Sequence, residues 1–152
     1  MQPLILNIPF NNITSEGLME ALDAVILQNA KSQVCFVPVN SILAARKDPE
    51  VLNVYRNADF VICDGVPVKW ASRFLGTPIV ERITGLDFMP DYVKHCADKG
   101  FSLFFLGAAP GVAEALQRNT QPCTRISKSK GPILLLLRSI SAQNRMMSCV
   151  HS

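Results

Sequence analysis

The amino-acid sequence predicts an α/β fold in which helices cover both faces of one mainly parallel sheet. Short apolar runs rich in β-branched and aromatic residues alternate repeatedly with amphipathic stretches, and the links between them are short. Helices placed that way must cross over between parallel strands. With 152 residues, 49% of them hydrophobic and 18% charged, the chain can bury one core and is too short for two ordinary domains.

Thr14 and Ser15 precede a stretch in which Leu18, Ala21, Leu22, Val25 and Ile26 form one apolar stripe at helical spacing, which predicts the first helix. Gln33 to Val39 reads as a buried strand with Pro38 near its end. Asn40 and Ser41 open a helical stretch that breaks at Asp48-Pro49, where Pro49 suits the first position of a second helix. Asp59 to Cys63 is the next strand and runs straight into Asp64-Gly65-Val66-Pro67, ahead of a helix carrying Val68, Trp70, Ala71 and Phe74. Trp70 and Phe74, at helical spacing, are expected in the core. Glu81 to Asp87 opens a helix reaching about Lys99, with Phe88, Tyr92, Val93 and Cys96 on it. Phe101 to Leu106 is a strand ending in Gly107-Ala108-Ala109-Pro110-Gly111, and Val112 to Arg118 resumes as a helix. The sum is a doubly wound layout, a Rossmann-like three-layer sandwich incomplete at its C-terminal side. Functional loops of such a sheet belong at the carboxyl ends of its strands, which selects Asn40-Ser41, Asp64-Gly65 and Gly107 to Gly111.

The formal charge of +3 is unevenly spread. Glu114 is the last acid, and every later charge is basic: Arg118, Arg125, Lys128, Lys130, Arg138 and Arg145. The body is therefore mildly acidic and the tail basic. Without interleaved aromatics, that tail reads as a solvated segment, not a nucleic-acid surface. The cysteines, Cys35, Cys63, Cys96, Cys123 and Cys149, are widely separated and form no zinc spacing, so no metal site is expected. Their odd number, with no disulfide framework, suggests a reducing cytoplasm. The N-terminus lacks a basic region and a cleavage site of the secretory kind, and Ile133 to Leu137 is far too short for a membrane helix.

Each loop has two readings. Gly107 to Gly111, between strand and helix, can present backbone N–H groups to a diphosphate, or can simply be a steric turn. It matches neither the phosphate-loop pattern nor the G-x-G-x-x-G dinucleotide fingerprint. Asp64 can deprotonate an attacking hydroxyl or cap the following helix. Arg82, just ahead of Thr84-Gly85, can pair with phosphate oxygens or form an ion pair with Glu81 or Asp87. Asp87 itself can complement the positive end of its helix. His95, near a helix C-terminus, has no apparent nucleophile to activate.

Taken together, Asn40, Asp64-Gly65, Glu81-Arg82-Ile83-Thr84-Gly85-Leu86-Asp87 and Leu106-Gly107-Ala108-Ala109-Pro110-Gly111 resemble, in that order, the WecG/TagA/CpsF family of bacterial glycosyltransferases. The resemblance extends from the first helix to about Arg118. It implies metal-independent, inverting transfer of N-acetylmannosamine or a related sugar from a UDP-sugar donor to a polyprenyl-diphosphate-linked sugar acceptor, with no cofactor. It implies Asp64 as general base and a substrate pocket built from Asn40, Gly65, Arg82, Thr84, Gly85, Asp87, Gly107 and Gly111. It also implies a cytoplasmic enzyme, peripheral at the inner face of the cell membrane, with no nucleic-acid partner.

Residues 119–152 do not follow the family's plan. The expectation is therefore a glycosyltransferase-like domain over 1–118, truncated, and a divergent basic tail whose order is left open. A shifted reading frame or a replaced C-terminus would produce such a tail. The competing expectation is a non-catalytic remnant or nucleotide-binding fragment, prone to self-association through uncovered sheet edges. An NAD-dependent dehydrogenase is disfavoured by the missing glycine fingerprint.

Overall fold

The computed structural model describes the backbone of residues 2–106, 124–127 and 134–139, with side chains at 2–101 and 103. It divides into two compact units, Met1–Val25 with Ala30–Met89, and Ile26–Asn29 with Pro90–Ser152.

The first unit opens on a hairpin of β1 (Leu4–Ile5) and β2 (Ile8–Pro9), with Ile5 opposite Ile8. Its turn residues Leu6 and Asn7 both have positive φ, 49° and 66°, the backbone twist that suits a two-residue hairpin. Alternation sends Ile5, Ile8 and Phe10 inward, and all three are buried. The sequence carries no clear sign of this hairpin, because two-residue strands are too short to show a period. Next comes α1 (Ser15–Leu27), where the Thr14 hydroxyl accepts the Gly17 N–H at 3.2 Å, an N-terminal cap.

β3 (Val34–Val37) and β4 (Phe60–Cys63) pair in parallel, from Val34 opposite Phe60 to Val37 opposite Cys63. The crossover between them consists of α2 (Val39–Lys47) and α3 (Pro49–Asn57). Asp48 separates the two helices because its carboxylate accepts the Glu50 N–H at 2.9 Å while Pro49 starts α3, the break that Asp48-Pro49 predicts. Val37, Ile42, Ala45, Val61 and Cys63 join the hairpin residues in one buried core.

After β4 comes α4 (Val66–Phe74), which buries Val68 and Ser72. Gly76, at φ 74°, ends it. The Gly76 N–H reaches the Arg73 carbonyl at 3.1 Å, and the Thr77 N–H reaches that of Ser72 at 3.0 Å. This paired closure needs a left-handed residue that glycine supplies without strain. The chain then returns beside α4. There the buried Ser72 hydroxyl donates to the Lys69 carbonyl at 2.7 Å and accepts the Ile79 N–H at 2.9 Å. Trp70 and Phe74 depart from expectation: they are 60% and 91% exposed. Helix α4 has two apolar stripes, and the small residues Ala71 and Ser72, with Val68, occupy the inward one.

α5 (Gly85–Lys99) begins in the first unit and continues in the second, where Tyr92 and Cys96 are buried. The Tyr92 ring stacks on His95 with centroids 6.1 Å apart. β5 (Phe101–Leu106) is flanked by β6 (Thr124–Ser127), parallel to it, and β7 (Leu134–Ser139), antiparallel.

The alternation of strand and helix up to Leu106 follows the sequence prediction, and the β3–β4 pair is parallel as predicted. Among the described residues the strands nonetheless form three small sheets, not one, and β5 pairs with β6 and β7. A hydrophobic period identifies a strand without naming its neighbour; tertiary packing makes that choice. Both β6 and β7 fall within residues 119–152, and the expected helix from Val112 lies outside the described residues.

Replacing Ser72 with Ala leaves the buried Ile79 N–H without its acceptor, which costs about 1–3 kcal/mol. Urea unfolding of the two proteins checks this, with a lowered midpoint and unchanged slope expected for S72A.

Candidate active site

Parallel pairing places the carboxyl ends of β3 and β4 at one edge, where each strand turns at once into a helix. β3 passes through Pro38 into α2, so Asn40 lies exposed in the first turn of that helix rather than in a loop ahead of it. β4 passes through Asp64 and Gly65 into α4. The two turns touch: a Cβ on Gly65 would lie 3.5 Å from Val39 Cγ2, 3.7 Å from the Val39 nitrogen and only 3.2 Å from Val68 Cγ2. Glycine is therefore the residue that fits without displacing Val68. Neither α2 nor α4 has a side-chain cap among the described residues, since Pro38 and Gly65 hold the capping positions. The first turns of two helices, with their dipoles, thus lie side by side here, a setting that favours an anion.

A third segment crosses the same edge. The Ile83 N–H donates to the Cys63 carbonyl at 3.0 Å, drawing Glu81 to Thr84 along the end of β4. Glu81 does not pair with Arg82; its carboxylate accepts the Ser15 N–H at 2.9 Å, at the start of α1. Arg82 is exposed, and among the described residues it forms no ion pair with Glu81 or Asp87. Gly85 packs on the Phe36 ring, with a Cβ there coming 3.6 Å from Cγ, and Phe36 meets Phe88 with ring centroids 5.7 Å apart.

Asp64 is half-buried, and its carboxylate does not cap α4. Burial pushes its pKa above the ordinary carboxylate value. A hydrogen bond from the Gly85 backbone and the positive charge of Arg82 pull the other way, and the charge of Asp87 adds to the upward push. The net shift is upward, so the anion accepts a proton more readily than a solvated aspartate would. Burial also raises the neighbouring Cys63 thiol, whose sulfur lies 3.4 Å from the Gly65 carbonyl.

Thr84 and Asp87 pair with each other at the start of α5. The Thr84 hydroxyl accepts the Asp87 N–H at 3.1 Å, which caps the start of α5 beside Gly85, and donates to the Asp87 carboxylate. Gly107 and Gly111 lie outside the described residues. Two contributors carry no advance signal in the sequence. Asn11 accepts the Val61 N–H at 2.7 Å, and Asn12 accepts the Val80 N–H at 2.7 Å while donating to the Pro78 carbonyl at 3.2 Å. These asparagines hold β4 and the returning segment through contacts about fifty to seventy residues away in sequence, beyond the reach of local pattern.

Residues 3–130 match the model of the Glycosyl transferase WecG/TagA/CpsF family. The chain belongs to that family. The match continues beyond Arg118 into the stretch that contains β6. Relatives include an N-acetylglucosaminyldiphosphoundecaprenol N-acetyl-beta-D-mannosaminyltransferase of Bacillus spizizenii, 35% identical over 75 residues, which are 49% of this chain and 29% of that protein. A protein of the same name in Staphylococcus aureus is 27% identical over 115 residues, 74% of this chain and 45% of its own length. The chain thus spans less than half the length of these WecG/TagA/CpsF relatives. Among the described residues no three His, Cys, Asp or Glu side chains are grouped to hold a metal, and no helix is long and apolar enough to cross a membrane.

The raised pKa of Asp64 makes stability depend on pH with a defined sign. The folded chain holds this proton more tightly than the unfolded one, so the contribution is fully present below the ordinary aspartate range and is lost as pH rises through the folded pKa. Asp64→Asn keeps a carbonyl for the Gly85 N–H and removes the charge. It is expected to be more stable than the parent at pH 7, with the difference closing below pH about 4; thermal unfolding across that pH range checks it.

Proposed function

We propose that this chain provides the catalytic base and donor-binding edge of a glycosyltransferase that moves N-acetylmannosamine or a related sugar from a UDP carrier to an N-acetylglucosaminyl-diphosphate-polyprenol. The observation that carries the proposal is the half-buried Asp64 carboxylate at the shared edge of β3 and β4, with Arg82 and the Gly85 N–H acting on it. The relatives' names supply the sugar and acceptor class. In this reading β3 and β4 belong to a Rossmann-like parallel sheet.

Asp64 takes the proton from the acceptor hydroxyl as its oxygen forms a bond to the anomeric carbon of the donor. The bond from that carbon to the diphosphate breaks on the opposite face, so configuration inverts, and its electron pair leaves with UDP. The departing charge is met by Arg82 and by the uncapped N-termini of α2 and α4, fixed dipoles that need no rearrangement during the step. Asn40, in the first turn of α2, contacts a sugar or phosphate oxygen. Thr84 and Asp87 support the site by fixing the start of α5. Because the acceptor is lipid-linked while the donor is a soluble nucleotide sugar, the reaction belongs at the cytoplasmic face of a membrane.

The test is transfer from UDP-N-acetylmannosamine to a lipid-linked N-acetylglucosamine diphosphate, together with UDP binding by calorimetry. Asp64→Asn is expected to lower turnover by about 10²–10⁴-fold and to leave UDP affinity nearly unchanged. Arg82→Ala is expected to weaken UDP binding about tenfold. An Asp64→Asn variant as active as the parent removes the base assignment, and UDP binding without any transfer identifies a nucleotide-binding fragment instead.

A further inference from the structure

We infer that α4 and the segment returning beside it, residues 65–80, form the surface by which this chain lies on an anionic lipid bilayer. The inference rests on the lipid-linked acceptor of the proposed function. Val66, Trp70 and Phe74 recur at every fourth position of α4, and all are exposed. They are not a misplaced core face, because Val68 and Ser72 already fill the inward side. Two more exposed apolar residues, Leu75 and Val80, extend the stripe. Val80 is held beside the helix, since the Lys69 ammonium donates to its carbonyl at 3.1 Å. Trp70, Phe74 and Arg73 together line a shallow surface hollow.

Charge selects the occupant. No carboxylate occurs between Asp64 and Glu81, whereas Lys69 and Arg73 both lie there. A segment that is free of acids and exposes tryptophan, phenylalanine and aliphatic side chains beside cations suits the boundary between headgroups and acyl chains. An indole ring settles at that level, and Lys or Arg can reach lipid phosphates from it. A second copy of the chain fits less well, because a twofold contact through this patch would set its own cations against each other. Position supports the same choice: the segment follows directly on Asp64 and leads into Glu81 and Arg82. The patch therefore borders the candidate site, and an acceptor anchored in the bilayer could bring its sugar to Asp64 without leaving the lipid.

Trp70 is the sole tryptophan of the chain, so intrinsic fluorescence reads this surface directly. The full chain is titrated with phosphatidylglycerol vesicles and, separately, with phosphatidylcholine vesicles. The expected result is a blue shift of Trp70 emission with co-sedimentation on phosphatidylglycerol, weaker on phosphatidylcholine and reduced by salt. Basic residues after Glu114 can also attract anionic vesicles, so Phe74→Ser and Leu75→Ser isolate the patch. Each is expected to lower vesicle affinity about tenfold without changing UDP affinity. The inference is overturned if Trp70 emission does not shift at saturating phosphatidylglycerol, if both variants bind as the parent does, or if Trp70 is shielded by self-association without lipid. Loss of lipid binding with UDP binding intact removes this surface alone; lipid binding without UDP binding removes the transferase reading alone.

Discussion

The parallel pairing that sets Val37 opposite Cys63 is the constraint on which the first unit depends. Because β3 and β4 run in the same direction, both chains leave the sheet at one edge, and each must turn at once into a helix. The turns then compete for the same space. Gly65 lies so near Val39 and Val68 that even a methyl group would press on Val68. That closeness gathers the first turns of α2 and α4 into one electropositive region. The Ile83 N–H, bonded to the Cys63 carbonyl, then brings Arg82 and Gly85 to the same place. A shift of register by one residue would exchange the buried face of Val61 and Cys63 for that of Ile62, so the packing on both faces of β4 holds this edge in position.

At that edge the forces on Asp64 oppose one another. Partial burial and the charge of Asp87 disfavour the carboxylate, while Arg82 and the Gly85 N–H favour it. Under the proposed function this balance suits a proton acceptor. A carboxylate fully satisfied by cations would be a weak base, and one buried without them would not ionise. Thr84, bonded to Asp87, holds the start of α5, where the Gly85 N–H bonds Asp64.

Much of this arrangement is legible in the sequence because its signals are local. The apolar stripe of Leu18 and Leu22, the Asp48-Pro49 break and the short run into Cys63 each report the conformation of their own neighbourhood. Asp64 and Gly65 can be singled out because they stand where a strand passes straight into a helix, the end of a parallel sheet at which functional loops collect. What escapes the sequence depends on distant partners. The Leu6-Asn7 hairpin is too short to show a period. The Glu81 carboxylate serves Ser15, and Asn11 and Asn12 serve Val61 and Val80. The pairing of β5 with β6 and β7 is likewise settled by packing. Trp70 fails for a different reason, because helical spacing reveals a stripe without telling which of two stripes turns inward.

Helix α4 shows why that ambiguity has a physical answer. Burying Trp70 and Phe74 would gain about 1.5–3 kcal/mol for a side chain such as Phe, so the hydrophobic term alone favours turning the helix over. Rotation would expose Val68 and strip the Ile79 N–H of the Ser72 hydroxyl, with a loss of similar size. The helix is also fixed at both ends, by Gly65 packed against Val39 and by the Gly76 closure onto Ser72 and Arg73. The space beneath it is matched to valine, alanine and serine, and an indole there would overfill it. The aromatic stripe therefore stays outside at a solvation cost that no internal rearrangement relieves. Only an external apolar phase or partner can offset that cost, and a segment with Lys69 and Arg73 but no acid between Asp64 and Glu81 makes an anionic one the better match.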